Sequence, residues 1–572
     1  MIKKPIYQDI AVRLCIGLII IGSSIRAFAQ TTWNQSNPYT VVLKVDLTVE
    51  TGKMNPAWAW FGYDEPNYTY MKDGKKLLSE IAGFSPVPVY VRTHYLLTTG
   101  DGSASLKWGS TNVYTEDKNG NPVYEWTIID KIFDTFIERG MKPLVELGFM
   151  PEALSTNPIP YRHSWPETFS TGWAYPPKDY DKWAELVSQL TIHCISRYGL
   201  NEVESWYWEV WNEPNINYWN GSMEEYFKMY DFASWAVKKA CPNAKIGGPH
   251  TTSPRDNNAA SWLKSFIDHC INGKNFKTGQ KGSPLNYIGF HAKGSPKIVD
   301  GHVQMNINLQ LQDISKGFEI VSSFPEIRDL PVIIGESDPE GCAACSMTRN
   351  PSNSYRNGTL YSSYEAAVFA REYALADFFK VNFIGAVTWA FEFEDQRWFD
   401  GFRDLATNGV DKPVLNIFRM FGMMSGTRVA VLGGVYDPFM IRDSGVKAIS
   451  PDINALASKD KNGVSIMVWN YHDDDLPAKA SQVRIDISGL PSSKVLVHEY
   501  RIDKETSNSY EVWKNMGSPQ NPTSEQYETL ADAGALKLFT SPFLIDPENG
   551  AINLSLNLPR QGVSLFRLIL QK

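Results

Sequence analysis

From about residue 55 to about residue 425, short apolar runs alternate with segments of helical periodicity. This feature narrows the fold more than any other, because strand–helix repeats pack as a parallel sheet with helices outside it. One unit reads clearly. Ile128, Ile129, Ile132, Phe133, Phe136 and Ile137 recur at helical spacing, Gly140 supplies a C-terminal cap, and Pro143–Phe149 follows as a buried strand. A second helix, Tyr180 to Tyr198, stops at Gly199 and leads into the aromatic strand Trp206–Trp211. Further strands are expected at Trp58–Gly62, Val87–Thr93, Lys245–Gly248, Tyr287–His291, Val332–Gly335 and Phe383–Trp389. The pattern predicts an α/β fold, a (β/α)8 TIM barrel with long loops.

After residue 425 the helical pattern stops, and Ser465–Asn470, Val483–Ile487, Val495–Ile502 and Ile552–Leu558 read as short strands. Residues 426–572 are therefore expected to form an all-β sandwich. The segment 30–54 contains a strand at 40–49, where Leu43, Val45, Leu47 and Val49 alternate with Lys44, Asp46 and Thr48; it is expected to join that sandwich. Residues 1–29 read as a cleavable signal peptide: Lys3, Lys4 and Arg13 precede an apolar run, and Ala27-Phe28-Ala29 offers a cleavage site. The expected location is secreted or periplasmic. The apolar run is too short to span a bilayer, and no membrane span is expected elsewhere.

A net charge of −8 gives no electrostatic footprint for nucleic acid. The 18 Trp, 27 Tyr and 28 Phe suit either a sugar-binding cleft or simply a large aromatic core. Cys342 and Cys345 form a CxxC without a second ligand pair for zinc, so a local disulfide or two free thiols is expected. Tyr471-His-Asp-Asp-Asp475 looks superficially like a metal tract but is expected to be a solvated turn.

In a parallel barrel, reacting groups come from the C-terminal ends of strands. Trp206–Trp211 runs into Asn212-Glu213-Pro214, and Val332-Ile-Ile-Gly runs into Glu336. By order these are strands four and seven. An acid that closes an apolar strand is costly unless it is paired or used. Two such acids are the minimal equipment for cleaving a glycosidic bond. The alternative is a pair of structural glutamates hydrogen-bonded at the barrel rim.

Trp208-Glu-Val-Trp-Asn-Glu-Pro214 together with Glu336 resembles glycoside hydrolase family 39, which contains β-xylosidases and α-L-iduronidases. Val91-Arg-Thr-His-Tyr-Leu-Leu97, Gly289-Phe-His-Ala-Lys-Gly294, Asp411-Lys-Pro413 and Tyr510–Gln526 also resemble family segments. The resemblance implies a barrel plus β-sandwich and retention of anomeric configuration, with Glu213 as general acid/base and Glu336 as nucleophile. It implies that Asn212 binds the sugar 2-OH. His94 and His291, ending strands two and six, resemble family residues that line the subsite of the cleaved sugar, the alternative being hydrogen-bonded scaffold residues. Trp389, ending strand eight, is expected either to form the floor under the sugar or to pack in the core. An acid of the loop after strand eight, Glu394 foremost, is expected on a sugar hydroxyl. Lys293 resembles the lysine that faces a substrate carboxylate in the iduronidase branch, or else pairs with Glu392 or Glu394. Arg403 is out of step with the arginine of that branch. The leading expectation is an exo-acting glycosidase on β-xyloside-like or α-L-arabinoside-like side chains of a poly- or oligosaccharide. An α-L-iduronidase-like uronidase and a catalytically silent carbohydrate-binding protein are the alternatives. No metal or organic cofactor is implied.

Overall fold

The computed structural model describes residues 40–161 and 172–571, so the expected signal peptide lies outside the described residues. The barrel strands run Trp60–Tyr63, Tyr90–Thr93, Lys142–Leu147, Tyr207–Val210, Lys245–Thr251, Tyr287–Lys293 and Pro331–Asp338, with the eighth split into Asn382–Ala386 and Thr388–Trp389. All neighbours are parallel, and the ring closes where Thr388 and Trp389 pair with Phe61 and Gly62. A helix follows each strand, from Lys72–Phe84 after the first to Pro413–Gly422 after the eighth.

Local chemistry sets the boundaries. The second strand starts at Tyr90, not Val87, because Pro86 and Pro88 lack the N–H a ladder needs. Gly140 takes φ +69°, a left-handed conformation that turns the chain into the third strand. Asp179 caps Tyr180–Tyr198 by accepting from Asp181 N and Lys182 N, and Ser222 with Glu225 forms a capping box on Met223–Ala240.

The second layer is a mixed sheet. Its first strand in sequence, Val41–Lys53, pairs parallel with Ser481–Ser488 and antiparallel with Thr427–Leu432. Leu43, Val45, Ile485, Val497, Leu554 and Leu568, from both ends of the sheet, share one buried core, so the sheet curls into a sandwich. On its other face Met467, Trp469, Val563 and Leu565 join the barrel's core.

Three expectations need correction. Helices do not stop at 425: Pro438–Ser444, Ser509–Asn515 and Ser524–Gly534 are helical. Asn508 caps the second, and Thr523 with Gln526 forms a capping box on the third, a Thr-x-x-Gln signal present in the sequence. Both carry apolar side chains, Trp513 and Leu530, onto Trp398 and Phe399 of the loop after strand eight. The tract 471–475 is not a solvated turn, for His472, Asp473 and Asp474 are buried. Asp473 accepts from Asn306 N and Ile307 N and so caps the barrel helix Ile307–Ser322, clamping sandwich to barrel. Lys293 pairs with neither Glu392 nor Glu394; Glu392 accepts from Gly409 N, and Lys293 turns inward to other acids. Cys342 and Cys345 form a disulfide, and Cys194, Cys241 and Cys270 are free and buried.

Candidate active site

The fourth strand ends in a turn in which Trp211 (φ 71°) and Glu213 (φ 45°) both adopt left-handed backbone, a strained state for residues of this size. Glu213 N donates to His250 O at 3.1 Å, and Trp211 Nε1 donates to Tyr218 O at 2.8 Å. The Trp211 ring packs edge-on against Phe149 and Trp219, with centroids 5.1 and 5.2 Å away. Packing thus holds the strain and aims the Glu213 carboxyl into the mouth of the barrel. At the seventh strand, Glu336 is preceded by Gly335, where a Cβ would meet His250 Nδ1 at 2.0 Å. Only glycine leaves room for the His250 ring, which reaches across from the fifth strand.

The two carboxyl groups converge: carboxyl oxygens of Glu213 and Glu336 and a ring nitrogen of His291 lie within 4.8 Å of one another. Their environments differ. Glu336 Oε1 accepts from Arg92 Nη1 at 3.2 Å, and its Oε2 accepts from Lys293 Nζ at 2.5 Å. Burial alone would raise its pKa, but Lys293, with His291, Arg92 and His94 after it, holds it well below the usual carboxylate range. Glu213 has His291 Nδ1 at 2.9 Å and, among the described residues, no lysine or arginine in ion-pair contact. Burial first, and then the charge of Glu336, push its pKa up to about 7. At neutral pH the site therefore holds one carboxylate and one group poised to give up a proton. With two cations already fixed on Glu336, a divalent metal ion between these groups would meet repulsion.

The other expected residues gather around this pair, with one exception. His94 Nδ1 lies 2.8 Å from Asp64 Oδ1, and its Nε2 lies 3.6 Å from Glu336 Oε1. Asn212 Oδ1 accepts from Arg92 Nη2 at 3.0 Å. Trp389 lies 4.4 Å from the His94 ring and 4.9 Å from the Arg92 guanidinium carbon, a floor beneath both. Lys293 bridges Glu336 and Asp338. Glu394 is not brought to the site: its carboxylate accepts from Asp73 N at 2.9 Å, in the first turn of Lys72–Phe84.

This paired-carboxylate site sits in a chain whose residues 41–546 match the model of the glycosyl hydrolases family 39. The chain belongs to family 39. It is 27% identical over 502 residues to a β-xylosidase of Caldicellulosiruptor saccharolyticus, covering 85% of this chain and 90% of that relative. It is 25% identical over 446 residues to the α-L-iduronidase of Mus musculus, covering 71% of this chain and 63% of that one. Among solved structures, the fold is shared with a monomeric β-xylosidase from Caulobacter crescentus CB15, with a TM-score of 0.72 and 21% identity over 93% of this chain and all of that one. As a family 39 member the protein is a glycosidase, and its substrate is a carbohydrate.

Sequence reasoning passed over several groups of this family 39 site. Arg92 lies at its base, fully buried, bonded to Glu209 (2.6 Å), Glu146 (3.3 Å), Glu336, Asn212 and His94. Asp64 joins His94 to the buried Lys107. Asp338 joins Lys293 to Arg403, which also pairs with Glu340. The signal was available: Arg92, Glu146 and Glu209 each interrupt an apolar barrel strand, and charges there must be matched.

Proposed function

We propose that the protein is a retaining, exo-acting glycosidase that removes a terminal neutral sugar, β-xyloside-like or α-L-arabinoside-like, by double displacement. The observation that carries this reading is the close approach of Glu213 and Glu336 with oppositely shifted pKa values. Inverting enzymes leave room for a water between their carboxyls, roughly 6.5–9.5 Å, whereas direct attack needs about 5 Å. In the first step Glu336 attacks C1 while Glu213 gives its proton to the departing oxygen. In the second, Glu213, now a carboxylate, takes a proton from water, the water oxygen bonds to C1, and Glu336 leaves. Hydrogen-bonding by His291 at Glu213 Oε1 leaves the other carboxyl oxygen to carry the proton toward substrate.

Charge matching favours a neutral sugar over a uronate. Among the described residues, each cation named around the pair has a carboxylate: Arg92 with Glu209, Lys293 with Glu336, Arg403 with Asp338, Arg356 with Glu340 and Lys107 with Asp64. A substrate carboxylate would have to draw Lys293 away from two acids. The β-xylosidase relatives, which cover most of the chain, support the same reading. Export to the periplasm or outside the cell is part of the proposal; it rests on the N-terminal segment and accords with the Cys342–Cys345 disulfide. Proton NMR of nitrophenyl β-xyloside and α-L-arabinoside hydrolysis tests it. The first sugar released keeps the substrate's anomeric configuration. An inverted product, or turnover of iduronides alone, overturns the reading.

A further inference from the structure

We infer that Glu146 and Glu209 hold one proton between them, carried on Glu146, so that the pair presents a single negative charge to Arg92 and positions its guanidinium against Glu336 and Asn212.

Glu146 and Glu209 are direct partners on the third and fourth barrel strands, both pointing into the barrel and both wholly buried. Two like charges directly opposite each other in a sheet repel even on a wet surface, and here no water screens them. Arg92, also wholly buried, sits between them and Glu336. One guanidinium facing three ionised carboxylates would leave two negative charges in the barrel's interior, and Lys293 offsets only the one on Glu336.

Hydrogen-bond bookkeeping locates the proton. A guanidinium has five N–H donors. Arg92 Nε serves Glu209 Oε1, Nη1 serves Glu336 Oε1 and His94 Nε2, and Nη2 serves Glu146 Oε2 and Asn212 Oδ1. All five donors are then in use. His94 receives at Nε2, so its own N–H is on Nδ1, facing Asp64. Glu209 takes the closer cation contact, Arg92 Nε at 2.6 Å against 3.3 Å from Nη2 to Glu146, and its Oε2 lies 2.7 Å from His250 Nε2, too poorly aligned for a full hydrogen bond. Glu146 Oε2 faces only that longer contact and the accepting Nε2 of His94 at 3.2 Å, and its Oε1 has no hydrogen-bond donor among the described residues, only the carboxyl of Glu209 beside it. A proton on Glu146 Oε1 makes that contact an O–H···O⁻ hydrogen bond, the short and strong kind.

The other groups facing the pair agree. They are Arg92 on the second strand and His94 just past its end, His250 on the fifth, Tyr287 on the sixth (3.3 Å from His250) and Glu336 on the seventh. Burial first, and then the charge of Glu209, hold the Glu146 carboxyl well above the usual range despite Arg92. For Glu209, burial is overcome by Arg92 and His250, which bring it down to about 2. His250 is itself lowered to about 4 by burial and so is neutral at pH 7. Were Glu146 ionised as well, the guanidinium would be drawn down toward the two acids and away from Glu336. With one charge below and one above, it stays between them.

Two measurements test this on the full chain. The infrared difference spectrum of wild type minus Glu146→Gln at pH 8 shows the positive C=O band of a protonated carboxyl. Positive carboxylate bands in its place overturn the inference. This readout does not depend on activity. The second rests on the reading of Glu213 as the acid, whose ionisation sets the basic limb of kcat/KM. The double variant Glu146→Gln/Glu209→Gln removes the pair's one charge and leaves no acid to take its place, so the limb moves to lower pH, by about 0.5 unit or more. Glu146→Gln replaces one neutral group with another, so the midpoint stays where it is. Equal shifts in the two variants overturn the inference, as does a shift for Glu146→Gln alone. If the double variant does not fold, Glu209→Asp keeps the charge and leaves the midpoint unmoved, while the infrared result decides the protonation state. Absence of any basic limb counts against the role of Glu213 and leaves the infrared test of the pair standing.

Discussion

Replacing Glu336 with Gln removes the negative charge nearest Glu213, and the size of the effect follows from the geometry. The two carboxyl groups approach within 4.8 Å. At an effective dielectric of ~20, two unit charges that far apart repel by about 3.5 kcal/mol, and in bulk water by about 1 kcal/mol. Glu213 is nearly but not wholly enclosed, so a fall of about 1–2 pKa units is expected. Burial, the larger cause of the shift, remains in the variant. The Glu213 pKa should therefore move from about 7 to between roughly 5 and 6 without returning to its ordinary value. Carbon-13 NMR of glutamate δ-carbons follows it, with the Glu213 signal assigned by its loss in Glu213→Gln. A midpoint unchanged within ~0.3 unit, or raised, refutes the claim that the nucleophile's charge helps keep the acid protonated.

The same shift has a stability consequence. Glu213 has a folded pKa raised above the unfolded value, so it costs nothing below about pH 4.5 and destabilises progressively as pH rises toward about 7. Urea unfolding of Glu213→Gln should match wild type at pH 4 and exceed it by ~1–3 kcal/mol at pH 8; a gain that is constant with pH contradicts the assignment. Lys293→Met strips Glu336 and Asp338 of a shared cation, with a penalty of about 3–5 kcal/mol for the broken buried pair. It should lower pentoside and uronide hydrolysis together and reduce the melting temperature, whereas loss confined to uronides would mean that Lys293 reads a substrate carboxylate. Gly335→Ala forces a Cβ onto His250 and should destabilise by ~1–3 kcal/mol, with a larger loss in kcat than in KM. Unaltered stability there would mean that the His250 ring is not held against Gly335 as described.

Much of this architecture is legible in the sequence because barrels impose a simple code. Val332-Ile-Ile-Gly-Glu336 reads as a buried strand with an acid at its end, and that is where the acid lies. Asn212 and Glu213 are found by the same logic, since packing demands apolar residues up to the rim and chemistry begins there. What lies beneath the rim is harder to read. Arg92, Glu146 and Glu209 are separated by tens of residues and become one network only when neighbouring strands set their register. A lone Glu in Pro143-Leu-Val-Glu-Leu147 reveals that it must be matched, not by what. Glu394 shows the reverse failure. It has the right residue type in the right loop, yet the N–H groups at a helix N-terminus attract a carboxylate as well as a sugar hydroxyl does. A run of acids such as 471–475 is usually solvated, so the sequence points outward; here the unpaired N–H groups at the start of Ile307–Ser322 draw Asp473 inside, while Asp475 stays exposed.

The central claim is that Glu336 attacks C1 and that a glycosyl-enzyme forms on it. A 2-deoxy-2-fluoro pentoside with a dinitrophenyl leaving group should inactivate the enzyme with one equivalent bound, because fluorine slows both steps while the activated leaving group restores only the first. Peptide mapping by mass spectrometry should place the label on Glu336. A label on Glu213, or burst-free turnover with no covalent adduct at any residue, would contradict the account.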